Sequence, residues 1–272
     1  MSILTTSYQI PPLTKKFDTQ VTLPGSKSIA LRQLAISALV DGKTILSGIP
    51  ECDDIDAMIE CLRTLGVRIQ GTKNELEISG PIDLSDKTLS INTRMSGAST
   101  RILIGLAALR KGLTRIDGHE SLRKRTNEPL LKTLEQMGCS VKREGLGLPV
   151  EISGPVMSQE LEIAGNISSQ YVTALLLISP FLNQEESVAI KIKGDLVSKP
   201  YIDITVNEMR KRGLRVRWNG SRDLVVESGT YSDGEYSIEG DATAASYFSA
   251  LATIHNSSVT CPNLGSTTVQ GA

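Results

Sequence analysis

The chain has 272 residues, of which 40% are hydrophobic and 22% are charged, and its formal net charge at pH 7 is −1. This is ordinary globular composition, and the length allows one large domain or two smaller ones. The balanced charge removes the general electrostatic argument for nucleic-acid binding. A single tryptophan and an aromatic content of 4% also disfavour recognition by stacking on bases or sugars.

The cysteines and the apolar runs indicate the cellular compartment of the protein. The four cysteines lie far apart and form no CxxC pair, which fits neither zinc-ligand spacing nor a disulfide-rich scaffold. We therefore expect reduced thiols in a cytoplasmic protein. The first residues, MSILTTSYQIPPL, lack the basic and apolar regions of a secretory signal. The longest apolar run, 172–182, is too short to span a bilayer, so no membrane association is expected.

Hydrophobic periodicity predicts the same order of elements three times along the chain. A first helix (28–40, 99–110 and 168–181) leads to a strand (43–48, 113–117 and 187–193). A second amphipathic helix follows (53–65, 127–137 and 199–212), then a strand, then a strand that ends in a polar turn. Each unit reads βαβαββ over about 70 to 75 residues, which predicts an α/β layer architecture.

The phase of this repeat is set by a glycine that closes each second helix. RTLGVRI, EQMGCSV and RKRGLRV contain Gly66, Gly138 and Gly213, which are 72 and 75 residues apart. Each glycine stands directly before a short strand, as a helix C-terminal glycine does.

A fourth copy of the pattern starts at 240–261, and the sequence ends about 30 residues into it. Its helix would expose an apolar face made of Ala244, Tyr247, Phe248 and Leu251. We therefore expect three complete units in one domain and part of a second domain. The alternative is that the last helix only caps the third unit.

Small polar residues precede each first helix: GSKS at 25–28, SGAST at 96–100 and NISSQ at 166–170. Helix N-termini expose unpaired N–H groups and the positive end of the helix dipole, so they accept phosphates and carboxylates. Lys27, Arg32 and Arg101 lie in or just after these first turns. Because a cation there is unfavourable for the helix itself, we expect these side chains to serve a bound anion. Plain serine capping is the alternative.

GSKS is not a nucleotide P-loop, because the glycine that must stand five residues before Gly25 is absent. The acidic group Glu51, Asp53, Asp54 and Asp56 is explained by a helix N-terminus rather than by a metal site. Arg123, Lys124 and Arg125 lie at a strand-to-helix junction, where they could clamp a phosphate or a carboxylate.

Four motifs in order, LPGSKSIALR, SSQYVTALLL, KGDLVSKPYIDIT and EGDATAASYF, resemble the 5-enolpyruvylshikimate-3-phosphate synthase family from Leu23 to the last residue. The resemblance implies two domains, each an inverted α/β structure of three βαβαββ units, with the substrates between them. Residues 22–240 would form the complete domain, and 1–21 and 241–272 would belong to the other, which is cut off.

The family reaction transfers the enolpyruvyl group of phosphoenolpyruvate to the 5-hydroxyl of shikimate 3-phosphate, a step in aromatic amino-acid biosynthesis. The resemblance therefore implies a cytoplasmic transferase with two anionic small-molecule substrates and no metal or organic cofactor. It implies catalytic roles for Lys27, Arg125 and Gln170. It also implies that the substrates contact ten residues: Lys27, Ser28, Arg32, Gly97, Arg125, Ser168, Ser169, Gln170, Ser198 and Tyr201.

The chain departs from the family pattern at three places. The family has G-N-A-G-T-A-x-R where this chain has RMSGASTR, so Met95 and Ala98 replace an asparagine and a threonine. Thr126 stands where a proline usually follows the clamp arginine. The family motif Q-G-D reads QGA, and its final Ala272 replaces an aspartate that is an acid–base candidate.

These departures lead to one main expectation and two alternatives. The main expectation is the N-terminal portion of such a synthase, which holds the shikimate 3-phosphate half-site and is inactive alone. The first alternative is a binding module or one half of a split enzyme that needs a separate C-terminal polypeptide. The UDP-N-acetylglucosamine enolpyruvyl transferases are disfavoured, because they have a lysine–asparagine pair at Lys27–Ser28 and lack SKPY.

Overall fold

The computed structural model describes residues 9, 11–72, 74–158, 160–183 and 186–271. In chain order its elements are β1 (Asp18–Gln20), α1 (Lys27–Ser37), β2 (Lys43–Ser47), α2 (Asp53–Thr64), β3 (Arg68–Thr72), β4 (Glu75–Ser79), β5 (Leu89–Asn92), α3 (Gly97–Ala108), β6 (Thr114–Asp117), α4 (Glu120–Arg123), α5 (Glu128–Gln136), β7 (Ser140–Arg143), β8 (Val150–Ser153), β9 (Glu160–Ala164), α6 (Ser169–Ile178), β10 (Val188–Lys193), α7 (Lys199–Lys211), β11 (Val216–Asn219), β12 (Asp223–Val226), β13 (Gly234–Ser237), α8 (Ala242–Ile254) and β14 (Ser258–Thr260). A 3₁₀ turn, Ser179–Phe181, follows α6.

Three four-stranded sheets share one topology. Their strand orders are β13-β2-β4-β3, β5-β6-β8-β7 and β9-β10-β12-β11. In each sheet the first pair is parallel and the other two pairs are antiparallel. The α/β fold of repeated units predicted from the sequence is thereby confirmed.

The first sheet is completed by a strand from the far end of the third unit. β13 pairs in parallel with β2, with Gly234 opposite Thr44 and Ser237 opposite Ser47. The chain therefore returns to the first unit after it has built the third. The division into a domain at 22–240 and a second one at 1–21 and 241–272 stays a prediction.

The first helix of each unit lies in the common core. α1, α3 and α6 are buried almost all around, as expected of helices whose sequences are apolar on every face. α3 and α6 approach closely at Gly105, where a Cβ would lie 2.9 Å from the carbonyl oxygen of Ala174. The three helices thereby hold the three sheets in fixed relative positions.

The glycines that close the second helices have the predicted conformation. Gly66, Gly138 and Gly213 have φ values of 96°, 90° and 88°. This left-handed region costs a glycine little and costs residues with a Cβ more. The prediction of three helix C-terminal glycines is confirmed.

α8 and β14 follow the fourth copy of the pattern as predicted. β14 pairs in parallel with β1 in a two-stranded sheet. Tyr247, Leu251 and Ile254 on α8 are exposed, at 75%, 43% and 77% of their surface. Ala244 and Phe248 are half-buried. The predicted apolar face is therefore present, shifted towards Ile254. Residues 1–8 and 10 and the final Ala272 lie outside the described residues.

All four cysteines are free thiols. Burial raises the pKa of the Cys61 thiol to about 12 and that of Cys139 to about 11, so both are protonated and unreactive at neutral pH. No helix among the described residues is long and apolar enough to cross a membrane.

Candidate functional site

A cavity of about 550 Å³ opens where α1, α3, α6 and α7 begin. The first three of these helix starts were predicted from the sequence to hold an anion, and the structure adds the start of α7. All ten residues predicted to contact the substrates line this one cavity: Lys27, Ser28, Arg32, Gly97, Arg125, Ser168, Ser169, Gln170, Ser198 and Tyr201. Their roles in binding stay predictions.

The helix starts present N–H groups and positive dipole ends to the cavity. The Ser96 hydroxyl accepts a hydrogen bond from the Ser99 N–H, and the Ser168 hydroxyl accepts one from Gln170. Because Ser96 caps α3, the helix starts at Gly97, two residues earlier than predicted. Ser198, which precedes α7, has a left-handed φ of 55°, a conformation that costs a residue with a Cβ energy and often occurs at functional sites.

Arg32 is a buried cation in the cavity wall. It is only 6% exposed, and among the described residues no carboxylate forms an ion pair with it. Burial lowers its pKa to about 10, although Glu208 and Tyr201 partly oppose this shift. The guanidinium is therefore still charged at neutral pH. A buried cation without an ion-pair partner favours the binding of an anion.

Two further guanidinium groups flank Gly97. A Cβ at this position would lie 2.7 Å from Nη1 of Arg101 and 3.3 Å from Nη1 of Arg125, so both guanidinium groups lie close to the start of α3. Burial lowers the pKa of Arg101, Tyr171 raises it, and the nearby Arg125 lowers it further. Neither arginine forms an ion pair within the described part of the chain. Of the two, Arg125 lines the cavity, whereas Arg101, which the sequence predicts to serve a bound anion, is buried and does not line it.

Asp54 joins the first and second units at the cavity, a role that no sequence motif indicates. Its Oδ2 lies 3.6 Å from Nζ of Lys27, and its Oδ1 accepts a hydrogen bond of 2.7 Å from the Ser96 hydroxyl. Asp54 is also an acid in the first turn of α2, as the sequence predicts. The contact runs from residue 27 through 54 to 96, so no local motif could have indicated it.

Arg94 holds the loop before α3 against α2. Its Nη1 donates to Asp53 at 2.5 Å, and its Nη2 donates to Glu60. Its φ of 50° is left-handed, which explains why the related pattern has a glycine at this position.

Two basic residues near the cavity, Arg123 and Lys199, do not line it. Arg123 donates two hydrogen bonds to Asp117, at 3.0 and 2.8 Å, so it stabilises the strand-to-helix junction. Lys199, in the SKPY motif, binds Asp203 and lies 4.5 Å above the ring centre of Trp218. Of the adjacent basic residues 123–125, only Arg125 lines the cavity.

A family model supports the same assignment as the motifs. The model described as EPSP synthase (3-phosphoshikimate 1-carboxyvinyltransferase) matches residues 13–272. The chain belongs to the EPSP synthase family. The resemblance on which the sequence interpretation rested is therefore confirmed.

Individual members agree with the family match. The chain is 36% identical over 269 residues to a 3-phosphoshikimate 1-carboxyvinyltransferase of Shewanella pealeana, covering 94% of this chain and 62% of the relative. It is 37% identical to the enzyme of the same name from Yersinia ruckeri, covering 92% and 60%. A solved EPSP synthase from Acinetobacter baumannii superposes with a TM-score of 0.80 at 25% identity, covering 94% of this chain and 57% of that one. The chain thus spans about three fifths of the length of these relatives.

Two of the three departures from the EPSP synthase pattern lie at or near the cavity and the start of α5. Met95 is 60% exposed and lines the cavity beside Ala98. The Thr126 hydroxyl accepts a hydrogen bond from the Glu128 N–H at 3.1 Å, and this contact helps to start α5. Ala272, which replaces the aspartate of Q-G-D, lies outside the described residues. The described residues contain no group of three or more His, Cys, Asp or Glu side chains able to hold a metal ion.

Proposed function

We propose that the chain binds shikimate 3-phosphate and phosphoenolpyruvate for enolpyruvyl transfer, and that it mainly carries the shikimate 3-phosphate half-site. The observation that carries this proposal is one cavity that joins four helix starts to Arg32 and Arg125, neither of which forms an ion pair within the described residues. Both substrates are anionic, so fixed cations and oriented N–H groups suit them. The free thiols fit a cytoplasmic protein.

The proposed reaction has two steps. The 5-hydroxyl oxygen of shikimate 3-phosphate bonds to C2 of phosphoenolpyruvate, the methylene carbon takes a proton, and the hydroxyl loses one. The tetrahedral adduct then expels phosphate as the methyl group loses a proton, which gives the enol ether. Lys27, Arg125 and Gln170 would stabilise the negative charge of phosphoenolpyruvate and of the adduct.

The two substrates would occupy different sides of the cavity. Lys27, Gly97 and Arg125 would contact phosphoenolpyruvate at the start of α3. Shikimate 3-phosphate would lie against α1, α6 and α7, in contact with Ser28, Arg32, Ser168, Ser169, Gln170, Ser198 and Tyr201. Asp54 lies in the same cavity, where its carboxylate would orient the Lys27 ammonium.

Calorimetric titration with shikimate 3-phosphate tests the half-site. We expect saturable binding by the chain and binding about 10-fold weaker or more for Ser169→Ala, because one hydrogen bond to a charged group is lost. Ser179→Ala is the matched control: this serine is buried at the other end of α6, and its hydroxyl donates to the Leu176 carbonyl. Equal affinity in Ser169→Ala and Ser179→Ala would contradict the site, and no binding by the unaltered chain would contradict the proposed function.

The 272 residues alone are expected to turn over poorly. Nearly two fifths of the length of the Shewanella pealeana relative has no counterpart in them. Ala272 replaces the acid–base aspartate of the family motif, and in the family the remaining part supplies further cations. Each such electrostatic group is worth about 10²–10³ in rate. A steady-state assay of phosphate release measures this. Turnover equal to that of a full-length relative would refute it.

The exposed apolar residues of α8 support the alternative of one half of a split enzyme. Tyr247, Leu251 and Ile254 form a face that a separate C-terminal polypeptide could cover. In the same assay, we expect phosphate release to rise when the chain is mixed with the C-terminal part of a relative. Unchanged release in the mixture would leave a binding module as the better description.

A further inference from the structure

The Arg32 side chain crosses from α1 to two helices of the third unit. Its Nε donates to the Thr205 hydroxyl at 2.7 Å, and its Nη2 donates to the Thr173 hydroxyl at 3.2 Å and to the Tyr201 carbonyl at 2.9 Å. Its Nη1 donates to the Ser28 carbonyl at 2.7 Å. We call these four acceptors, on Ser28, Thr173, Tyr201 and Thr205, the Arg32 cradle.

The two threonine hydroxyls of the cradle can satisfy each other and the arginine at once. Their oxygens are 2.9 Å apart, and the Thr205 oxygen is 3.0 Å from the Tyr201 carbonyl. A hydroxyl has one proton to donate and two lone pairs to accept with. Thr205 can therefore donate to Tyr201 while it accepts from Arg32 and from Thr173, and Thr173 can accept from Arg32. Each hydroxyl proton then has one acceptor.

The cradle is built of neutral groups, although it surrounds a charged one. Thr173 and Thr205 are 2% and 0% exposed. The nearby carboxylate of Glu208 forms hydrogen bonds with other donors. It accepts one from the Gln33 side chain at 2.6 Å and one from the Lys211 ammonium at 2.8 Å. Hydroxyl and carbonyl oxygens orient the guanidinium without neutralising it. The cradle therefore fixes the direction of Arg32 and leaves its charge for a ligand.

We propose that Thr173 and Thr205 are positioning residues, whose hydroxyls hold the Arg32 guanidinium in the orientation that binds the anionic substrate. This inference rests on the proposed function for the identity of the substrate. It concerns two residues that make no predicted contact with either substrate. The cradle also includes the backbone carbonyl of Tyr201. One hydrogen-bond network therefore positions both the Arg32 guanidinium and the start of α7 at the cavity wall.

The test compares Thr205→Val, which keeps the shape and removes the hydroxyl, with Thr205→Ser, which keeps the hydroxyl. In the full chain, we expect Thr205→Val to weaken shikimate 3-phosphate binding about 10-fold or more, because Nε of Arg32 loses its buried acceptor. Thr205→Ser should restore the affinity to within about 3-fold. Thr133→Val is the matched control: Thr133 is 4% exposed, and its hydroxyl donates to the Glu162 carbonyl away from the cavity. It should leave the affinity unchanged.

A second measurement does not depend on the substrate. The Nε–Hε signal of Arg32, identified by its absence in Arg32→Met, should exchange slowly with water in the free chain, and about 10-fold faster or more in Thr205→Val. An unchanged exchange rate, or an unchanged affinity in a chain that binds shikimate 3-phosphate, would overturn the inference. A chain that binds no shikimate 3-phosphate would overturn the proposed function instead, and the exchange rate would then decide the positioning of Arg32 by itself.

Discussion

Replacing Arg32 with methionine is expected to weaken shikimate 3-phosphate binding by about 100-fold and to leave the chain folded. The side chain is a buried cation that forms no ion pair within the described residues, and Glu208 only partly opposes the effect of its burial, so an anionic ligand would add the missing negative charge. Methionine fills a similar volume with an apolar chain. A charged hydrogen-bond donor lost from a buried site costs about 2–5 kcal/mol of binding free energy. A 100-fold loss of affinity corresponds to about 2.7 kcal/mol, which is in the lower half of that range.

The same replacement is expected to change the free energy of unfolding by no more than about 1 kcal/mol, because the lost hydrogen bonds are offset by the removal of a desolvated charge. The acceptors left behind keep other donors. The Thr205 and Thr173 hydroxyls still bond to each other, and the Thr205 hydroxyl can donate to the Tyr201 carbonyl. Ser28 is in the first turn of α1, where the backbone pattern gives its carbonyl a second donor. Calorimetric titration and urea denaturation measure the two quantities on the same sample.

Arg110→Met is the matched control, and the opposite pattern is expected for it. Arg110 is fully buried and also lacks an ion pair within the described residues, but it lies outside the cavity. Its guanidinium ties the segment before β5 to α3, since Nε donates to the Asp83 carbonyl at 2.6 Å and Nη2 donates to the Lys87 carbonyl at 2.9 Å. This variant should lose stability and keep its affinity. If Arg32→Met kept its affinity, the assignment of Arg32 to the substrate would be wrong.

Local signals in the sequence were enough to predict most of the fold. Gly66, Gly138 and Gly213 fixed the repeat, because a left-handed residue after a helix is a local requirement that glycine meets best. The serines before α3 and α6 marked the helix starts for a similar reason, since their hydroxyls cap N–H groups two or three residues away. These features need no knowledge of the rest of the chain.

Features that depend on distant residues could not be predicted in this way. β13 completes the first sheet from a position about 190 residues after β2, and its four residues carry no signal that names their partner strand. Asp54 is the helix N-terminal acid that the sequence predicts, but only the fold brings it to Lys27 and Ser96. The Thr173–Thr205 pair likewise follows from the packing of α6 against α7.

The predicted site residues came from the resemblance rather than from the repeat. The repeat predicts that three helix starts share a ligand, and it points to the cations Lys27, Arg32 and Arg101, of which Lys27 and Arg32 line the cavity. It placed KGDLVSKPY, 193–201, in the position that Arg123–Arg125 hold one unit earlier, but the roles of Ser198 and Tyr201 came from the resemblance. The structure brings the start of α7 to the cavity.

Replacing Gly25 with alanine is expected to lower the free energy of unfolding by about 3 kcal/mol, the largest effect on stability that we predict for a single added methyl group. A Cβ at Gly25 would lie 1.9 Å from the carbonyl oxygen of Gly48, far inside contact distance. The atom that it meets belongs to the backbone, so no side-chain rotation can relieve the clash. Gly25 is also bridged to Gly240, in the segment through which the chain returns from the third unit.

The displacement caused by Gly25→Ala should reach both the fold and the site. The Ser26 N–H donates to the Glu239 carbonyl at 2.8 Å, and the Asp241 N–H donates to the Pro24 carbonyl at 2.9 Å, so moving the loop strains the bonds that join the two segments. Lys27 and Ser28 follow directly in the chain, and we expect weaker shikimate 3-phosphate binding as well.

Gly265→Ala is the matched control, because its nearest neighbours would lie 4.0 Å from the added carbon. Urea denaturation followed by far-ultraviolet circular dichroism should show Gly265→Ala within about 0.5 kcal/mol of the unaltered chain. If Gly25→Ala were equally stable, the loop before α1 would not be held against Gly48 as the structure shows, and the placement of Lys27 at the cavity would lose its physical basis.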